Sequence, residues 1–402
     1  MSKQSAGAMD QTRQTGWVDV LDGVRALLIF LVGAFHIWQQ SWLTPYAVIG
    51  NQYYSLDPLL RSGYIWVDGM LLLSGFCLFL PYTKRDWQKG EGKRFFLRRF
   101  ARIYPSYLLN VLFFFFIRKG QYFTASEMWT DLIAHLTFLH PLSYATYYRS
   151  PLNGALWTVG VEVYFYLLFP FVCRAFKKKP VWTFLGMTAA AFAWRAWAAT
   201  LPDTAMFFNQ LPAFLDVYAL GMGGAMCYDA LRKRFSEAGR EEQRTEKVFF
   251  TFAALLCVLF MASLVSTQAA QNGTESIRHG QMTTRFPLAL SLTVFMICLA
   301  FSFRPVRLCF GNRVMRFFAA ISFQFYMYHQ GLAVIIKEQG WIPSASPIPN
   351  QAAEQPWQTL YTLTCFLVPV LLGAALTYGF ERPVRKKILA TFPLRADGIT
   401  KE

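Results

Sequence analysis

Charge is scarce in this 402-residue chain. Asp, Glu, Lys and Arg together make up 15% of it, where soluble domains carry about 25%. That shortage of polar surface excludes an ordinary water-soluble globule. Acidic residues are the scarcer sign, 23 against 39 basic ones, for a net charge of +16. The seven cysteines (Cys77, Cys173, Cys227, Cys257, Cys298, Cys309 and Cys365) show no CxxC or other ligand spacing. Neither a disulfide framework nor a metal site is therefore expected. Walker and Rossmann glycine motifs are missing, which argues against nucleotide-driven transport. Residues 1–17 are polar and the first apolar run is already of membrane length, so no cleaved signal peptide is expected.

What the chain does have is hydrocarbon. Hydrophobic residues reach 54%, phenylalanine alone supplies 39 residues, and the mean hydropathy is +0.29. Ten apolar runs are long enough to span a bilayer: 20–42, 65–82, 103–117, 155–176, 181–199, 207–228, 248–265, 286–303, 315–336 and 360–380. The expected fold is all-α, a polytopic membrane protein of about ten helices around a polar cavity. One transmembrane domain, 18–384, would follow a polar N-terminus, 1–17, and precede a basic tail, 385–402, with no soluble domain between. Placing the N-terminus inside puts 30 basic residues in or at the edge of inner segments and 7 on the outer side, with Arg25 and Arg195 inside spans. That asymmetry sets both termini in the cytoplasm and accounts for the positive charge without a nucleic-acid partner.

Polar groups inside these runs carry the functional signal. Arg25 and His36 lie eleven positions apart in the first run. A central arginine in hydrocarbon costs about 2.5–3.5 kcal/mol, which a mere anchor has no reason to accept. Eleven residues are about three helical turns, so both side chains share one face roughly 16 Å apart along the axis. Four further segments break the apolar pattern. They are Trp66-Val67-Asp68-Gly69 with Ser74-Gly75-Phe76; Arg98-Arg99-x-x-Arg102-Ile103-x-Pro105; Asn153 to Trp157-Thr158, Glu162, Tyr166 and Pro170; and Tyr326 to His329.

In this order and at these depths, the motifs closely resemble the acyltransferase-3 family of integral membrane acyltransferases. The likeness runs from about residue 21 to 383, with Thr158 standing where serine is commoner. The resemblance implies transfer of an acyl group, usually acetyl, from cytoplasmic acyl-CoA to a hydroxyl. The acceptor would be a carbohydrate, glycolipid or other cell-envelope component, and the location a bacterial cytoplasmic membrane. Acyl-CoA would be a donor substrate, with no resident cofactor and no metal.

Within that frame His36 is the expected general base, because attack by a hydroxyl needs a proton acceptor that titrates in the useful range. Its plainer reading is a histidine bonded between helices. Glu162 is the expected partner that orients the imidazole; the plainer reading is an ion pair with Arg195. Arg25, Arg98, Arg99 and Arg102 are the expected contacts to the donor's phosphates, with Arg102 foremost because it lies nearest the membrane. A basic run beside an inner helix end is also what topology alone produces. Asp22, Asp68, Asn153, Trp157, Tyr166 and His329 form the expected supporting polar network, and Asp216 ranks with them. Asp131 and His135 sit on an amphipathic outer stretch, 126–139, whose Met128, Leu132, Ile133 and Leu136 suggest an interfacial lid. A secondary transporter or flippase is the competing class, although the two halves show no paired similarity. A silent scaffold is the third, and it would tolerate loss of Arg25, His36 and Glu162 together.

Overall fold

A computed structural model describes residues 18–392 apart from 203 and 272. The expected N-terminus, 1–17, and the tail beyond 392 lie outside the described residues. All ten apolar runs are helical over most of their length, but the sixth, 207–228, breaks at residues 209–210 and its long helix starts only at Leu215. The long ones are α1 (Val20–Ser41), α2 (Val67–Phe79), α3 (Glu91–Arg118), α4 (Ala125–Leu136), α5 (Trp157–Lys178), α6 (Pro180–Ala198), α7 (Leu215–Glu237), α8 (Arg240–Ala269), α9 (Arg285–Phe301), α10 (Arg313–Glu338), α11 (Trp357–Leu376) and α12 (Arg382–Thr391). Among the described residues the departure from all-α is one antiparallel hairpin, Tyr46–Ile49 with Gln52–Ser55. Its turn uses Gly50 at φ 61°, a conformation that favours glycine.

Seven helical segments are long and apolar enough to cross a membrane: Val20–Ser41, Gly63–Thr83, Glu91–Gln121, Gly154–Lys178, Arg240–Ala269, Ser276–Phe301 and Trp357–Thr391. The other three runs are helical but more polar. Helix α6 carries Arg195 beside three tryptophans, α7 carries Asp216 and Asp229, and α10 carries Gln324 and His329.

The third run needs the largest correction. Its helix starts at Glu91 rather than near residue 103. Phe95, Ile103 and Tyr107 are buried within about 120° of one another around the axis, so one apolar face continues through the basic stretch. Arg98, Arg99 and Arg102 therefore stand on the helix itself rather than at its mouth.

Small residues set the closest helix approaches. Helix α2 packs along α7, where a Cβ on Gly221 would lie 2.3 Å from the Leu72 carbonyl oxygen. Helix α1 packs along α10, where a Cβ on Gly33 would meet the Phe325 ring at 2.8 Å. The bundle thus has a basic end, at the start of α1 and of α3, and a histidine end holding the far half of α1.

Candidate active site

Helix α1 runs from the basic end toward the histidine end, and α2 runs back beside it. Their facing residues give a depth scale. Near the histidine end a cavity of about 510 Å³ is lined by His36, Asp68, Trp157, Arg285, Tyr64 and Tyr326, among others. Near the basic end an Arg25 Nη2–H points at Cys77 Sγ, 3.7 Å away. From Asp68 to Cys77 along α2 is about 14 Å at 1.5 Å per residue.

His36 is half-buried at the cavity wall, and its Nδ1 lies 2.8 Å from His329 Nε2. The other nitrogen of His329, Nδ1, is 2.6 Å from the Tyr326 carbonyl oxygen. A carbonyl can only accept, so neutral His329 carries its proton on Nδ1 and presents a lone pair at Nε2. His36 must then donate from Nδ1, which leaves its own Nε2 as the unprotonated nitrogen. The chain from carbonyl through His329 to His36 selects the tautomer a general base needs. His329, ranked only as a supporting residue from the sequence, is the direct partner.

Glu162 is not that partner, and the expected pairing is corrected. Its Oε1 accepts from Ser74 Oγ at 2.9 Å and from the Tyr166 hydroxyl. Ser74 is six residues past Asp68, so Glu162 lies about 9 Å nearer the basic end than the cavity wall. Trp157, at the start of α5, reaches the His36 level instead, stacked on Phe214 at 5.8 Å. Nor does Glu162 pair with Arg195, which binds Asp216.

The four expected donor-binding arginines separate by burial. Arg98 is exposed, whereas Arg25, Arg99 and Arg102 are half-buried. Arg99 lies over the Phe95 and Tyr166 rings, 5.5 Å from each centroid, with its Nε buried and unpartnered. Arg102 stands in electrostatic range of Tyr166, Glu162, Glu381 and Cys77. Among the described residues neither Arg25 nor Arg102 has a carboxylate at ion-pair distance. Asp22 is buried and feels both Arg25 and Arg316 without pairing closely with either.

Two other arginines are wholly buried and each is paired with a carboxylate, although the Arg195 Nε has no partner among the described residues. Arg195 donates to both Asp216 oxygens, at 3.0 and 2.7 Å. Arg285 donates from Nε to Asp68 Oδ2 at 3.1 Å. Both also donate to the Ala213 carbonyl, each at 2.9 Å. Sequence reasoning missed Arg285 because the eighth run begins one residue later, at 286. A boundary shift of one position would have placed an arginine in that span.

The remaining supporting residues tie α5 to α10. Asn153 and Asn110 both donate to the Met327 carbonyl, the latter at 2.9 Å, and Thr158 donates to the Tyr326 hydroxyl at 2.8 Å. Helix α4 turns its polar pair inward, correcting the expected apolar lid face. Asp131 and His135 are buried while Ile133 is 58% exposed. His135 stacks on His140, with centroids 4.1 Å apart. Burial, with the His135 ring beside it, holds His140 well below the usual histidine range.

Comparison with known proteins shows the family. Residues 18–379 match the acyltransferase-3 family model, described as an acyltransferase domain. ORF330 of Acidianus two-tailed virus, provisionally named an acetyltransferase, is 21% identical over 383 residues, 94% of this chain and 93% of its own. Acyltransferase MdmB of Streptomyces mycarofaciens is 30% identical over 177 residues, 42% of this chain and 44% of that protein. Peptidoglycan O-acetyltransferase OatA of Listeria monocytogenes is 27% identical over 175 residues, 40% of this chain and 25% of OatA. No solved structure matches. With the family match spanning most of a helical, membrane-length bundle, the chain belongs to the acyltransferase-3 family of integral membrane acyltransferases.

Proposed function

We propose that this protein transfers an acyl group from cytoplasmic acyl-CoA to a hydroxyl of a carbohydrate or other envelope acceptor, with ten spans and both termini in the cytoplasm. The observation that carries the reading is the Tyr326 carbonyl–His329–His36 chain, which leaves His36 Nε2 with a free lone pair at the wall of a cavity. The acceptor sits in that cavity among Trp38, Gln39, Trp157 and Asn209, aromatic faces and amide groups of the kind that suit a sugar. The transferase names of MdmB and OatA support the reaction class. The basic asymmetry of the sequence supports the orientation.

In the reaction, His36 Nε2 removes the acceptor hydroxyl proton as the oxygen attacks the thioester carbonyl. The C–S bond then breaks, the coenzyme A thiolate leaves, and the imidazolium returns the proton to sulfur. The products are an ester and free coenzyme A. The donor's phosphates lie at the basic end with Arg25, Arg99 and Arg102, whose guanidiniums provide charge-assisted donors. Arg98 guards the rim. Glu162, held by Ser74 and Tyr166, orients Arg102 along the donor's path rather than the imidazole.

The test uses purified protein with labelled acetyl-CoA and reads acceptor-dependent thiol release. His36→Ala is expected to lower kcat by about 10²–10⁴-fold, and retention of full activity would overturn the assignment. His329→Gln is expected to lower kcat and move the acid limb of the pH–rate profile, because the tautomer is no longer set. Solute uptake by reconstituted protein without thiol release would favour a carrier.

A further inference from the structure

Two concavities away from the histidine cavity adjoin each other on the outside of the bundle. The first, about 640 Å³, lies at the basic end and is lined by Arg244, Lys247, Arg304 and Arg307 with Asp19. The second, about 480 Å³, is an apolar groove between α8 and α9, lined by Val248, Phe252, Leu255, Val258, Phe295 and Leu299, among others. Phe303 belongs to both, so the basic recess opens directly onto the groove.

Basic residues at the inner ends of spans are ordinary topology. These differ because separate stretches of chain bring them together around one hollow. Arg244 and Lys247 begin α8, and Arg304 and Arg307 lie on the short helix Arg304–Phe310. Arg307 is matched by Asp19 at 3.1 Å, whereas Arg244 and Arg304 have no ion pair among the described residues. The groove wall is exposed hydrocarbon: Val248, Phe252 and Leu255 are 54%, 60% and 53% exposed. Helix α8 is the most hydropathic of the membrane-length segments, with only 22% of its apolar window buried.

We propose that the recess and groove together bind one anionic phospholipid. Its phosphodiester and anionic headgroup lie among Arg244, Lys247 and Arg304, and one acyl chain lies along α8 and α9 past Phe303. Charge complementarity selects the headgroup, and the contiguous groove selects a lipid over a free anion. The site lies at the foot of α1, since Asp19 lines the recess and Gly23 admits the Phe310 backbone so closely that a Cβ would lie 2.3 Å from its carbonyl oxygen. A lipid held there braces the helix that carries Arg25 and His36.

The experiment compares delipidated, detergent-purified full chain titrated with phosphatidylglycerol, phosphatidylcholine or inorganic phosphate. Native mass spectrometry reads lipid binding and thermal unfolding reads stabilisation. Phosphatidylglycerol is expected to bind one per chain and raise Tm, with little response to the other two. Arg244→Gln with Arg304→Gln is expected to weaken phosphatidylglycerol binding by about thirtyfold. Leu255→Trp, which crowds the groove without touching charge, is expected to weaken it as well. Each variant's Tm in phosphatidylcholine is its own reference, so a general loss of stability does not mimic the effect. Equal binding by wild type and the double arginine variant would overturn the proposal. So would full stabilisation by inorganic phosphate, since it does not need the groove.

Discussion

The protein buries arginines in two different ways. Arg195 and Arg285 are each about 1% exposed, each has a carboxylate within 3.1 Å, and both bond to the Ala213 carbonyl. Arg25 and Arg102 are half-buried and lack such a partner among the described residues. The first pair is closed by charge: each guanidinium is matched by a carboxylate within the protein, as a low-dielectric interior demands, with the Arg195 Nε alone of that guanidinium left without an acceptor among the described residues. The second pair keeps its donor capacity open. In a membrane protein that difference separates groups that hold helices together from groups left open to the donor proposed above. Their abundance in the sequence says nothing of which is which.

The contrast can be broken by substitution. The largest effect is expected from Asp216→Ala, which strands Arg195 in the interior. Unfolding in detergent is expected to show a loss of about 3–5 kcal/mol, with activity falling only as folded protein is lost. Arg102→Ala is expected to do the reverse, leaving Tm in place while acyl transfer at low donor concentration falls about 10–100-fold, equivalent to roughly 1.4–2.7 kcal/mol. If Arg102→Ala unfolds the protein, or Asp216→Ala leaves it as stable as before, the division into closed and open arginines is wrong.

A smaller effect comes from acid. His140 is held neutral in the folded protein, its ionisation lowered first by burial and then by His135. The unfolded chain takes up a proton there near pH 6.5 while the folded one does not. Stability is therefore fully present above that pH and falls below it by about 1.4 kcal/mol per pH unit until the folded ring also titrates. Unfolding midpoints at pH 5 and pH 8 check this, and His140→Gln is expected to flatten the difference. The smallest effect belongs to the surface pair Arg234–Glu246 at 3.2 Å, its arginine exposed and its carboxylate half-buried. Glu246→Gln is expected to change stability by less than about 1 kcal/mol, a control for what surface pairing contributes.

Much of the architecture could be read before any coordinates. Every apolar run is helical over most of its length, because a backbone in hydrocarbon must satisfy its own hydrogen bonds. The Arg25-to-His36 spacing was legible too, since both stand on the unbroken helix Val20–Ser41. Helix ends were harder: the amphipathic stretch before residue 103 hid the true start of α3, and a one-residue boundary hid Arg285. The Glu162–His36 pairing failed for another reason. Nothing local to α5 says how far it slides along α1, and the turn Gly154–Leu156 brings Trp157 to the histidine level instead.

Arginine and histidine were thus set on one face of one helix, at a separation that the 1.5 Å rise per residue dictates from sequence alone. Which polar groups meet across helices was decided only by tertiary packing. His36 and His329 are 293 positions apart, and their contact depends on how closely Gly33 lets α1 approach α10. Rise along a helix is a property of the backbone, whereas register between helices is a property of the surfaces they bury.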